Sequence, residues 1–273
     1  MQKDKISALV REKVYQAVRK QKKFVIAANW KMNMTSAETE HYLEVLNHYD
    51  FSDRNPVILF PPSPYLYLMK KFSGPHIQYG TQNVYFAEKG AFTGEVSTVM
   101  AKDLGCAYSI LGHSERRNIF GETDELIGKK VKACFKAGIR PVLCIGEKLE
   151  ERRSGQYAQV LRSQLKNALA DTAVRDAEHL LVAYEPVWAI GTGESAAPDQ
   201  IEETHRFIRE QLVSIFGADS GREIPILYGG SVNPDNIEKT ALCEEVSGFL
   251  IGGAALDAGR LMQMMDVFNE KKP

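Results

Sequence analysis

The chain has 273 residues, 44% hydrophobic and 25% charged, an ordinary globular composition with length enough for a large core. Its 34 basic and 35 acidic residues leave a net charge of -1, so no global positive field exists for a phosphodiester backbone and nucleic acid is excluded as a partner. No apolar run approaches the roughly 18 residues of a bilayer span, and the N-terminus lacks a secretory apolar stretch, so a soluble cytoplasmic protein without membrane contact is expected.

Residues 1–23 hold eight basic and two acidic side chains. Between them Ile6, Leu9, Val10, Val14, Ala17 and Val18 recur at three- and four-residue spacing, which predicts an N-terminal basic amphipathic helix. Its lysine-rich, serine-poor composition argues against an organelle transit peptide and for a helix packed under the body or against a neighbouring subunit.

From residue 24 onward short β-branched runs alternate with helical patterns. Strands are expected at 24–29, 57–60, 77–81, 108–111, 142–145, 180–184, 226–228 and 248–251. The clearest helices carry start signals: Thr35 or Ser36 ahead of Glu38, Thr123 ahead of Asp124 and Glu125, Pro198 opening a run to Phe216, and Asn233 with Pro234. Eight such strands, apolar throughout because crossover helices cover both faces, in 250 residues predict an α/β fold: a single-domain, eight-stranded parallel (β/α)8 barrel over 24–273. Cys106, Cys134, Cys144 and Cys243 form no C-x-x-C pair and lie in or beside apolar stretches, as reduced core thiols do; no metal or other cofactor is expected.

In such a barrel, chemistry sits where strands end at their C-termini. The polar residues there are Asn29 and Lys31 after the first strand, His113 and Glu115 after the fourth, Glu185 after the sixth, Gly229, Gly230 and Ser231 after the seventh, and Gly252 and Gly253 after the eighth. Each has a dull reading alone, as a satisfied polar side chain or a turn glycine; convergence on one mouth is what makes them candidates. Residues 191–196 also satisfy G-x-G-x-x-A, the dinucleotide fingerprint. Five residues, 186–190, separate them from Glu185, so they do not open a first strand-to-helix turn and favour a hinged lid over a nicotinamide site.

The motifs Asn29-Trp30-Lys31-Met32-Asn33, His113-Ser114-Glu115-Arg116-Arg117, Cys144-Ile145-Gly146-Glu147, the run from Ala183 through Glu185 to Gly193, Tyr228-Gly229-Gly230-Ser231-Val232-Asn233 and Phe249-Leu250-Ile251-Gly252-Gly253-Ala254 together resemble the triosephosphate isomerase family. The resemblance covers residues 24 to about 268. Departures are small: Glu194 stands where lysine is common, Ala255 where serine is frequent, and residues 1–23 precede the usual start. It implies interconversion of dihydroxyacetone phosphate and glyceraldehyde 3-phosphate in glycolysis and gluconeogenesis, with Glu185 as base, His113 as hydrogen-bond donor, Lys31 and Asn29 stabilising negative charge, and Glu115 orienting Lys31. Phosphate would be held by Gly191, Ser231, Gly252 and Gly253. The lid would run through Pro186, Val187, Trp188, Ala189, Ile190, Gly191, Thr192, Gly193, Glu194, Ser195 and Ala196, with Glu147 holding it open and Tyr228 holding it closed. Residues 84–94 resemble the family's dimer loop, implying a homodimer, possibly enlarged through the N-terminal helix. The competing class is a phosphate-binding barrel scaffold without turnover, which should have lost Lys31, His113 or Glu185.

Overall fold

The computed structural model describes residues 24–51, 57–190 and 196–268. The N-terminal amphipathic helix expected over 1–23 lies outside the described residues, as do lid residues 191–195. Eight parallel strands close into a barrel in sequence order: β1 (Val25–Asn29), β2 (Val57–Phe60), β3 (Ile77–Thr81), β4 (Tyr108–Leu111), β5 (Arg140–Ile145), β6 (Leu181–Tyr184), β7 (Ile226–Tyr228) and β8 (Gly248–Ile251). β8 returns to β1 with Phe249 opposite Ile26 and Ile251 opposite Ala28, so the sheet has no free edge.

Side chains alternate along a strand, and here both faces are apolar. Ile26 and Ala28 face the helices, while Ala27 joins Ile58, Phe60, Ile110, Val142, Cys144, Leu181, Ala183, Leu227 and Leu250 inside the barrel. The same parity fixes the direction of the residues at each strand end. Asn29 continues the inward series of Ala27, Glu185 that of Leu181 and Ala183, Gly229 that of Leu227, and Gly252 that of Leu250. Gly112 does the same for Ile110; its left-handed φ of 68° turns the chain, and His113 follows at the mouth.

The helices start where the sequence marks them. Thr35 and Glu38 form a reciprocal cap on the Ser36–Asn47 helix, Thr123 accepts the Leu126 N–H ahead of Asp124–Ala137, and Pro198 opens Pro198–Phe216. One start differs. Asn233 does not cap a helix directly: its Oδ1 accepts the N–H groups of Asp235 and Asn236, closing a turn that delays the helix to Ile237–Thr240. All four cysteines are free and buried. Among the described residues no helix is long and apolar enough to cross a membrane.

Candidate active site

The first strand delivers Lys31 in an uncommon conformation. Its φ of 53° is left-handed, a state that costs a non-glycine residue about 1–3 kcal/mol and persists only where neighbours enforce it. They do so from both sides of the residue. The Lys31 N–H donates to Asn29 Oδ1 at 3.0 Å, and Gln82 Nε2 donates to the Lys31 carbonyl at 2.7 Å and to the Phe60 carbonyl at 2.9 Å. The ammonium ends 2.7 Å from Glu115 Oε1. Gln82 is a positioning residue that sequence reasoning missed; its one visible signal is its place directly after β3.

His113 caps the short helix Ser114–Asn118. The Glu115 N–H donates to its Nδ1 at 3.2 Å, so that nitrogen carries no proton here and Nε2–H is the donor, 2.9 Å from Glu185 Oε1. The other Glu185 oxygen accepts the Ser114 N–H at 2.9 Å. Burial opposes charge on both members of this pair, and so moves their proton affinities in opposite senses. For His113, burial lowers proton affinity, but Glu185 and then Glu115 raise it above the ordinary histidine value. For Glu185, burial raises the pKa, but His113, the Ser114 N–H and Lys31 together hold it below the ordinary carboxylate value.

The backbone carrying Glu185 is wedged. Its N–H donates to the Ile145 carbonyl at 2.8 Å, and a Cβ on Gly146 would come within 1.8 Å of the Glu185 carbonyl, so only glycine permits this approach. Gly146 is in turn gripped on both of its peptide groups by Gln164, whose Oε1 accepts the Gly146 N–H at 2.8 Å and whose Nε2 donates to its carbonyl at 3.0 Å. A space of about 240 Å³ lies beside this clamp, bordered by Gly146, Gln164 and Glu185, into which a released loop can relax. Gln164→Leu should therefore lower kcat roughly 10- to 100-fold through displacement of Glu185, with a reduced Tm, as steady-state kinetics and thermal melts would read. Unchanged kcat in a destabilised variant would show that Gln164 supports only the fold.

Asn29, Lys31, His113, Glu185, Ser231, Gly252 and Gly253 line one cavity of about 270 Å³. Glu115 stands behind it and reaches it through Lys31. Gly191 lies outside the described residues. Of the lid, residues 186–190 and Ala196 are described. Val187–Ala189 form a 3-10 turn, and Glu147 receives the Trp188 Nε1–H at 3.0 Å, the Tyr184 hydroxyl at 3.0 Å and, on its carbonyl, the Val187 N–H at 3.1 Å. Burial raises the Glu147 pKa against these donors. At the far hinge, burial pushes the Tyr228 hydroxyl up to about 12, partly offset by the Ala196 amide.

A closed parallel barrel whose mouth gathers a buried carboxylate, a histidine presenting N–H and a lysine beside small-residue loops defines an α/β-barrel enzyme of acid–base type. The sequence model of the family described as triosephosphate isomerase matches residues 24–268. The chain is 47% identical over 236 residues to the triosephosphate isomerase of Aquifex aeolicus, covering 85% of this chain and 94% of that protein. It is 46% identical over 233 residues to that of Carboxydothermus hydrogenoformans (85% and 93% covered) and 44% identical over 251 residues to that of Fusobacterium nucleatum (91% and 100% covered). The chain belongs to the triosephosphate isomerase family. That match takes in residues 191–196, where the nicotinamide alternative had its motif.

Proposed function

We propose that this cavity interconverts dihydroxyacetone phosphate and D-glyceraldehyde 3-phosphate. The observation that carries the reading is the meeting of Glu185, His113 and Lys31 on one small cavity, with Glu185 buried yet held ionised. Moving a carbonyl by one carbon needs a base for a carbon-bound proton and a donor for the oxygen that becomes negative. Glu185 takes the proton from C1; the C–H electrons form the C1–C2 double bond and the carbonyl electrons move onto oxygen. His113 gives its Nε2 proton to the C2 oxygen and takes the hydroxyl proton from the C1 oxygen; Glu185 then returns its proton to C2, and the mirrored electron flow leaves the aldehyde at C1 and a hydroxyl at C2. A neutral histidine paired with a glutamate base is the known arrangement of this enzyme family, and the Nε2–H of His113 fits it.

In the structure Glu185 spends both oxygens on His113 and Ser114. Reaching the substrate means exchanging those two bonds, which also removes the carboxylate that raises the His113 proton affinity and leaves burial to favour the neutral ring. Lys31, with Asn29 fixed beside it, supplies positive charge to the enediolate, and Glu115 aims its ammonium. Gly252, Gly253 and Ser231 offer backbone for the phosphate, with the Lys31 ammonium 3.9 Å from where a Cβ on Gly252 would stand and with Gly191 completing the set. Trp188, bonded to Glu147, would hold the lid open, and the Tyr228 hydroxyl would hold it closed. Glyceraldehyde 3-phosphate supplied to purified protein should be consumed in an assay coupled to NADH-dependent reduction of dihydroxyacetone phosphate. No turnover above blank would defeat the proposal and favour the scaffold reading.

The active unit in this reading is a homodimer in the cytoplasm, where four free buried thiols are at home. Met32, next to Lys31, is 94% exposed, and Ile119 and Phe120 are 72% and 68% exposed, an apolar rim too open for a lone subunit. That rim borders a groove of about 290 Å³ shared by Asn29, Lys31 and Glu95. The loop 84–94 has the stiffness to enter a neighbour's groove: Tyr85 pairs with Val96 at its base, and Phe92 packs on Tyr85 at 4.6 Å. Thr93→Arg at its tip should shift sizing chromatography toward monomer and lower kcat/KM by more than about tenfold, because the groove borders Lys31. A fully active monomer would contradict the dimer reading.

A further inference from the structure

The ammonium and the imidazole N–H facing the reacting end of the cavity are already engaged. Lys31 Nζ meets Glu115 at 2.7 Å and His113 Nε2 meets Glu185 at 2.9 Å, so each faces a carboxylate. Counting Lys31, Glu185 and the Glu115 behind Lys31, with His113 neutral, this constellation carries a charge of about -1. A triose phosphate brings close to two negative charges near neutral pH, since the second phosphate pKa is about 6. Backbone amides help locally, but they do not offset a like-charged site at a distance.

Arg260 changes that balance. It lies on the Ala258–Asp266 helix that follows the Gly252–Gly253 turn, and it lines the same cavity beside Gly253, Ala254 and Asn233. Its backbone N–H donates to Asp257 Oδ1 at 2.8 Å, which fixes the first turn. Its guanidinium is exposed and has no carboxylate partner among the described residues, unlike Arg116, Arg117, Arg152, Arg206 and Arg209. An exposed helix arginine is ordinarily only a solvated side chain. This one is the unpaired cation on the wall where the phosphate turn opens, and a guanidinium fork matches phosphate oxygens.

We propose that Arg260 is a substrate-binding residue, which receives the outward oxygens of the phosphate and draws the dianion into a cavity whose other charges do not favour it. The proposal rests on the isomerase reading for its substrate, and phosphate alone tests it without turnover. Arg260 touches none of the groups that move the proton, so its effect falls on capture of the substrate and leaves the chemical step alone.

The experiment compares wild type with Arg260→Met and Arg260→Lys, both at an exposed position that folding tolerates. For each, KM and kcat for glyceraldehyde 3-phosphate are measured at about 20 mM and about 200 mM ionic strength, either side of the point where the Debye length falls below about 10 Å. Direct binding of inorganic phosphate is measured by calorimetry alongside. Arg260→Met should raise KM and the phosphate Kd together by roughly three- to fivefold at low salt, with kcat nearly unchanged and a flatter salt dependence of kcat/KM. Arg260→Lys should recover most of the loss. Unchanged KM and phosphate Kd in Arg260→Met, or a loss confined to kcat, would overturn the assignment. If wild type bound phosphate more tightly than Arg260→Met yet turned over no triose, the binding role would stand and the isomerase reading would fall.

Discussion

Glu185→Gln should lower kcat by at least about 10³-fold, toward the upper end of what one general base contributes, while KM moves little. The amide keeps the size of the carboxylate and cannot take a proton from carbon. It also disturbs the resting pair in a way that the geometry specifies. Two donors, His113 Nε2–H and the Ser114 N–H, each meet their own carboxylate oxygen at 2.9 Å. An amide has one acceptor oxygen, and the His113 ring cannot accept through Nε2 without moving its proton to Nδ1, which already receives the Glu115 N–H. One donor is therefore opposed by NH2 in a buried site, at a cost of about 1–3 kcal/mol, and the melting temperature should fall as well. Glu185→Asp separates the two effects: it keeps the charge and both acceptors but withdraws the carboxylate by about 1 Å, so kcat should drop roughly 10²-fold with less loss of stability. A loss under tenfold for Glu185→Gln, in protein free of host enzyme, would remove Glu185 as the base.

The pH profile is set by the same contacts. The base acts as a carboxylate, and its pKa lies below the ordinary value of 4.5, so its working form persists down to and below that pH. As pH falls, activity should therefore not decline on account of Glu185 until after an ordinary glutamate would have been protonated. Removing Lys31 or the His113 contact takes away one of the influences that lower the Glu185 pKa against burial, so an acidic limb in kcat/KM set by Glu185 should then move upward in pH. An acidic limb that stays in place in both variants would argue that another group sets it.

Much of the fold and site is legible from residues and spacing, and the unread parts have physical causes. The strands show as apolar runs because helices cover the outside and side chains fill the inside, but the same two-sided burial hides the alternation that tells inward from outward. Ala27 and Ala28 look alike in the sequence, yet only the first points along the line that ends at Asn29. β5 begins at Arg140, two residues ahead of its apolar run, with Pro141 paired opposite Ser109. The reacting groups stand out as polar residues directly after strands. Their supports do not: Gln82 and Gln164 act through backbone carbonyls and amides, and Gln164 sits 18 residues from Gly146 on a helix face that reads as solvated. Arg260 is hidden for the same reason, a charged helix residue whose meaning comes only from the cavity beside it.

Lys31→Met should reduce kcat/KM by at least about 10³-fold, and the arrangement predicts how the loss divides. Methionine keeps an unbranched side chain, one atom shorter, and leaves the left-handed backbone no more strained than lysine does, so the Asn29 and Gln82 bonds to residue 31 survive. The fold should change little, because the partner Glu115 side chain is 40% exposed and water can take over from the ammonium. What changes is the charge at the reacting end. The ammonium that would stabilise the enediolate is gone, which lowers kcat, and Glu115 is left as an unneutralised carboxylate 3.6 Å from His113 Nδ1, which repels the incoming dianion and raises KM. Lys31→Met combined with Glu115→Gln removes that repulsion, so it should restore much of the lost affinity for triose phosphate without restoring kcat. A double-mutant cycle across the two positions reads the split directly, since residues in one ion pair are expected to couple. Recovery of kcat in the double variant would mean that Lys31 serves only to mask Glu115, and that the enediolate draws its stabilisation from His113 and Asn29 alone.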